Sequence, residues 1–196
     1  MRSMSLTYSP ATPDRWDDLA SLFGPNGAYS NCWCTWWILP SRQWSEAGTA
    51  GRERVLRELI RDGAEPGVLA YDGNVAVGWV AVGPRVRYTR MMSPRATVNG
   101  PLDREDPGWV VNCFFIPRGQ RRRGIARGLL DEAVRFAFDR GATYVAGHPI
   151  DTSGGNRASA DLYVGTLSMF LQAGFREVER RGTRPVVRLD RSHMMS

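Results

Sequence analysis

The sequence contains no lysine: all 26 of its basic residues are arginine. That excludes a Walker-type phosphate loop, whose Gly-Lys-Ser/Thr end needs the lysine ammonium on the phosphates. It also points to a source genome rich in G and C rather than to any particular chemistry. Cysteine is scarce, with Cys32 and Cys34 one residue apart and Cys113 far away. The two histidines, His148 and His193, stand far from them, and a structural zinc site wants four nitrogen or sulfur ligands in closely spaced pairs. No metal site is expected, and buried reduced thiols are the default. No apolar run approaches the roughly 20 residues that cross a bilayer. The N-terminus lacks the apolar core of a signal peptide, so a cytoplasmic location without membrane contact is the expectation.

What remains is an ordinary globular composition of 42% apolar and 23% charged residues in 196 positions. That length suits one domain over 1–196 with a sizeable core. The formal charge of +6 favours acidic partners, either a phosphorylated cofactor or nucleic acid. No internal repeat, low-complexity stretch or linker divides the chain.

Patterning gives the elements. A first strand is expected at 5–9 and a helix at 14–23, with acidic early residues that suit its dipole. A second helix at 51–62 carries Val55, Leu56, Leu59 and Ile60 on one face. Runs at 68–71 and 75–82, joined through Asp72-Gly73-Asn74, read as a hairpin. Residues 84–108 read as a polar loop with room for one short helix. A strand at 109–116, a helix to Arg140 stopped by Gly141, and a strand at 143–147 follow. A helical pattern at 162–173 and a last strand at 186–189 close the chain.

Residues 109–130 are the most informative segment. The apolar strand leads into Arg121-Arg122-Arg123-Gly124-Ile125-Ala126, and an amphipathic helix begins at once with Leu129, Leu130, Ala133, Val134, Ala137 and Phe138. Unpaired N–H groups in the first turn, the helix dipole, a permissive glycine and three arginines make an anion cradle. Gly119, Gly124 and Gly128 do not have the Gly-x-Gly-x-x-Gly spacing of a dinucleotide fold. The segment resembles instead the coenzyme A loop of the GNAT superfamily of N-acetyltransferases: Arg or Gln, two residues, Gly, any residue, then Gly or Ala. Residues 121–126 match every defined position.

The resemblance implies an α/β (α+β) domain with a central, mostly antiparallel mixed sheet, flanked by helices and containing a splayed parallel strand pair. It implies acetyl-CoA as cofactor, with the backbone of Phe114, Phe115 and Ile116 pairing with the pantetheine arm. The N–H groups of Arg121, Arg122, Arg123, Gly124, Ile125 and Ala126 would take the pyrophosphate, and Asn156 would stand in for a cofactor-binding asparagine. The tyrosine that often protonates the departing thiolate in this superfamily aligns with Phe170, four residues before Gly174. A tyrosine acid from that position is therefore excluded, so the departing sulfur is expected to take its proton from water or the substrate, with Tyr163 as the substitute candidate. His148 and Asp151, after the fifth strand, are the candidate bases. Thr166 and Ser168 could contact the cofactor or donate through water.

Cys113 reads as an inert thiol. Trp33, Trp36 and Trp37 fall where such folds build an acceptor pocket, with Trp33 and Trp37 expected on one helical face. Core packing explains those rings equally well. The main expectation is an acetyl-CoA-dependent N-acyltransferase acting on a small-molecule or peptide amine. A catalytically silent CoA-binding module and a transferase using aminoacyl-tRNA stand beside it. The acceptor, the acyl length and a homodimer stay open.

Overall fold

The computed structural model describes residues 5–90, 106–155, 161–181 and 184–194. Asn156 and residues 91–105 of the long polar stretch lie outside them. Seven strands form one sheet: β1 (Leu6–Pro10), β2 (Gly67–Asp72), β3 (Val75–Pro84), β4 (Trp109–Phe115), β5 (Tyr144–Gly147), β6 (Arg176–Arg181) and β7 (Arg184–Asp190). Their spatial order is β1-β2-β3-β4-β5-β7-β6, and β4–β5 is the parallel pair. The tight β2–β3 turn has Gly73 at φ 62°, the conformation expected of Asp-Gly.

Helices cover both faces. On one lies α3 (Ile125–Asp139), whose Leu129, Leu130, Ala133 and Ala137 are fully buried against Val80, Val111 and Val145. The short α4 (Leu167–Gln172) adds Phe170 to the same core. On the other face, α1 (Trp16–Phe23) and α2 (Ser41–Arg61) bury Leu19, Phe23, Leu56 and Ile60 against Leu69, Trp79 and Ala81. Alternation along β2 and β3 feeds both cores, as a sheet covered on two sides requires.

Three elements differ from the sequence expectation. Helix α2 begins ten residues before position 51 and is broken at Gly48 (φ 59°, ψ −173°). Its first piece carries Trp44 as its one large apolar residue, so no periodic face shows. It is held instead by Arg52, whose Nε and Nη2 donate to the Trp44 carbonyl at 3.1 and 2.9 Å. Strand β6 was not expected because its residues are mostly charged and Val178 is exposed; pairing with β7 makes it a strand. The helix expected over 162–173 is a 3₁₀ turn (Asp161–Val164) followed by α4, parted by Gly165 at φ 81°.

Candidate active site

Strands β4 and β5 pair at three positions, Trp109 with Val145, Val110 with Ala146 and Val111 with Gly147, and then part. On the other side of β4 the register with β3 jumps between Ala81 and Val82, leaving Asn112 as a bulge. From Asn112 onward β4 has a backbone edge with no strand on the β5 side among the described residues. An extended ligand chain can add to such an edge as a strand would.

A groove of about 360 Å³ runs from this edge to the start of α3. Phe114, Ile116, Arg121, Arg122, Gly124, Ile125 and Ala126 line it, as do Tyr163 and Thr166 across the gap. Thr166 also caps α4, its hydroxyl accepting from the Met169 N–H, and Ser168 lies 3.2 Å from it. The loop that opens the groove is twice left-handed, at Arg122 (φ 62°) and Gly124 (φ 79°). A Cβ built on Gly124 would meet nothing within 4 Å, so the space in front of the loop is open. The first backbone bond of the helix is Gly128 N–H to Gly124 O at 3.1 Å. Among the described residues, the N–H groups of 122–127 have no backbone partner, which suits an anion at the helix start.

The three arginines differ. Arg121 is tied down as wall, donating from Nε to the Ile116 carbonyl at 3.1 Å and from Nη2 to the Tyr29 hydroxyl. Arg123 turns toward Gln120 and Asp72 and does not line the groove. Among the described residues nothing pairs with the Arg122 guanidinium. The donors present therefore fit a pyrophosphate: backbone N–H groups plus one unpaired cation.

A second cavity of about 290 Å³ opens beside the first. Phe115 faces it, with Trp36, Trp37, Trp44 and all three cysteines. Tyr29 and Tyr163 line both cavities. The segment before α2 is irregular, with Ala28, Ser30, Asn31, Trp33 and Cys34 all at positive φ. Trp33 and Trp37 consequently share no helical face. Trp33 turns into the core and stacks on Trp16 at 5.8 Å, its indole so close beneath Gly27 that a Cβ there would lie 2.3 Å from Nε1. Trp36 and Trp37 remain at the pocket. The sequence showed no signal for Tyr29 or Trp44, since neither sits in a periodic pattern.

The acid and base candidates separate. Phe170 is fully buried, edge-on to Phe114 and Phe175. Asp151 accepts from the Ser153 N–H at 3.0 Å and from Arg180 at 2.6 Å. These contacts hold its carboxyl well below the usual range, with the Ser153 bonds dominant. His148 follows β5 with Nδ1 sealed from solvent and unpartnered. Burial, aided by the charges of Arg85 and Arg184, pushes its pKa down to about 4, so the ring is neutral but weakly basic at pH 7. Asn112 is 3% exposed, and among the described residues neither of its side-chain polar atoms has a hydrogen-bond partner.

Cys34 Sγ lies 3.5 Å from Cys113 Sγ, far beyond the roughly 2.05 Å of a disulfide. Burial raises the Cys32 thiol to about 11. The Cys113 contact, followed by burial, raises that of Cys34. Both are neutral thiols at pH 7, poorly suited to act as nucleophiles. Among the described residues no three His, Cys, Asp or Glu side chains converge as metal ligands, and no helix is long and apolar enough to cross a membrane.

A family model described as the acetyltransferase (GNAT) family matches residues 33–165. No curated protein matches the chain. Solved structures share the fold at low identity. The PaiA N-acetyltransferase of Thermoplasma acidophilum in complex with coenzyme A is 11% identical, covering 95% of this chain and 99% of its own, with TM-score 0.54. An acetyltransferase of Thermus thermophilus is 19% identical over 97% and 99%, with TM-score 0.53. Mutant forms of the spermidine/spermine N-acetyltransferase SpeG of Vibrio cholerae are 15% identical over 97% and 98%, with TM-score 0.57.

Proposed function

The chain belongs to the acetyltransferase (GNAT) family, and from that premise we propose that it transfers an acetyl group from acetyl-CoA to a primary amine by direct attack in a ternary complex. Acetyl-CoA is the acyl donor of the family and supplies an activated thioester. One observation carries the reading: a groove with anion-binding donors and a separate aromatic pocket meet at Tyr29 and Tyr163, where β4 parts from β5. Two reactants held on either side of that junction would react as one assembled unit, which removes much of the entropic barrier.

We assign the N–H groups of 122–127 and the Arg122 guanidinium to the pyrophosphate, and the open edge of β4 at Phe114, Phe115 and Ile116 to the pantetheine arm. N–H groups near Phe115 and Ile116 would draw charge onto the thioester oxygen. The amine nitrogen forms a bond to the acyl carbon as the carbon–sulfur bond breaks. Tyr163, in reach of both cavities, is assigned to protonate the departing sulfur. With Asp151 held by Arg180 and His148 weakly basic, neither is a strong base at neutral pH, and the amine proton is assigned to solvent.

Gly124→Glu tests the cofactor site. A side chain and a negative charge at that left-handed position should weaken CoA binding about a hundredfold or more by calorimetry, in the range of losing a charge-assisted bond and gaining a repulsion. Unchanged affinity would remove the assignment. Thiol release from acetyl-CoA, measured across a panel of amines, separates an enzyme from a silent CoA-binding module.

A further inference from the structure

We propose that the acceptor is an aromatic primary amine that is uncharged as it binds; this rests on the acyl transfer proposed above and names its substrate class. The first ground is shape and polarity. The acceptor pocket is walled by the rings of Trp36, Trp37, Trp44 and Phe115, with thiols between them. The Cys32 and Cys34 thiols stay protonated at neutral pH because burial and their own contacts disfavour the thiolate. A cavity of about 290 Å³ with flat walls takes a one- or two-ring guest, and aromatic pairs add attraction beyond their area.

The second ground is charge. Among the described residues, no aspartate or glutamate lines this pocket. A pocket for a polyamine or a lysine side chain would be expected to offer a carboxylate to the extra ammonium groups. Part of the aromatic wall is already engaged by cations, at Trp44 and Trp36. The Arg52 guanidinium lies 3.3 Å from the Trp44 ring centroid and that of Arg90 3.8 Å from the Trp36 ring. The two indoles meet edge to face at 4.9 Å, so guanidinium, indole, indole and guanidinium are in contact along one side of the pocket. Both arginines are fixed further, Arg52 to the Asn31 carbonyl at 3.3 Å and Arg90 to the Leu39 carbonyl at 3.3 Å. An ammonium guest against Trp44 or Trp36 would share its ring with a guanidinium already in place, which opposes its binding. A neutral ring meets none of this cost.

The third ground is the proton. A conjugated aromatic amine carries its lone pair free at pH 7 and needs no base before attack, and among the described residues no carboxylate lines the pocket to serve as one. Shape, charge and proton inventory converge on the same guest.

The experiment compares 5-aminoindole, spermidine and a lysine-containing peptide as acceptors of the wild-type protein with saturating acetyl-CoA, reading acetylated product by mass spectrometry. Calorimetry of each amine against the CoA-loaded protein runs beside it. Support is a kcat/KM for 5-aminoindole at least tenfold above both other amines, with Trp36→Ala weakening 5-aminoindole binding about tenfold while CoA affinity holds. Turnover favouring spermidine or the peptide overturns the inference and leaves the acyltransferase standing. If CoA binds and no amine is acetylated, the reading as an enzyme fails, and calorimetry still decides the pocket: saturable 5-aminoindole binding upholds its aromatic preference, and absence of binding overturns it.

Discussion

On one side of Tyr163 the groups facing the cavity are backbone N–H donors and an exposed strand edge; on the other they are indole rings and thiols. The groove bends the chain at two left-handed positions, one of them glycine, whereas the segment shaping the aromatic pocket holds five non-glycine residues there. A left-handed non-glycine residue costs on the order of 1–2 kcal/mol, so that segment needs outside support, which buried Arg52 gives through the carbonyls of Trp44 and Asn31. The two linings also differ in their buried side-chain polar atoms. The buried polar atoms without partners include those of Trp37, Trp44, Tyr88, Asn112 and His148, and none belongs to the groove lining. The difference separates two ways of building a site. A backbone site depends on chain path and recognises a constant ligand, while a side-chain site is defined by residue choice and can be retuned by substitution.

The junction between the two sites should show the largest effect. Tyr163→Phe removes a proton donor shared by both cavities and should lower kcat by about 10²- to 10⁴-fold, the usual contribution of a general acid. CoA affinity should be unchanged, because the ring remains. Steady-state kinetics with calorimetry check both halves, and an unaltered kcat would reduce Tyr163 to a partition.

A smaller effect should come from His148, which follows β5. Its folded-state pKa of about 4 lies below the ordinary 6.5, chiefly through burial. The unfolded chain therefore takes up this proton first as pH falls. The contribution of the neutral ring is full above pH 6.5 and is lost as pH drops toward 4, at about 3 kcal/mol in total. Urea unfolding at pH 7 and pH 4 should show a stability loss smaller by that amount in His148→Gln than in the wild type. An identical loss would place the acid sensitivity elsewhere.

The smallest effect is expected at Phe170, which belongs wholly to the groove-side core. Phe170→Tyr would bury a hydroxyl among Phe114, Phe175 and Gly147, costing about 1–3 kcal/mol without a partner. Thermal unfolding should register that cost and kcat should not rise. A gain in kcat would mean that the ring reaches the groove and that the boundary between core and site is misdrawn.

The contrast also explains what the sequence disclosed. The groove was legible because its parts are periodic or glycine-marked: an apolar strand, Gly124, and a helix whose apolar spacing names its buried face. Local chain chemistry makes such elements, so local sequence reveals them. The pocket was legible only in composition, through a cluster of tryptophans. Which rings face the cavity depends on backbone turns that no turn residue announces, so Trp33 and Trp37 could not be separated by counting. Trp44 and Tyr29 reach the site through a helix break and a loop reversal. Arg52 enters across 21 residues of sequence from Asn31. The charged edge strand β6 was invisible for a related reason, since its partner β7 makes it a strand.

The parting of β4 and β5 has a mechanical side. The sheet consists of two blocks, β1 to β4 and β5 with β7 and β6, sewn together by three residue pairs, the shortest ladder in the sheet. A ligand arm lying along the free edge of β4 fills the cleft beyond that seam and acts as a splint between the blocks. Free energy of binding would then become free energy of cohesion for the whole sheet, so a donor bound there would also brace the frame that holds it.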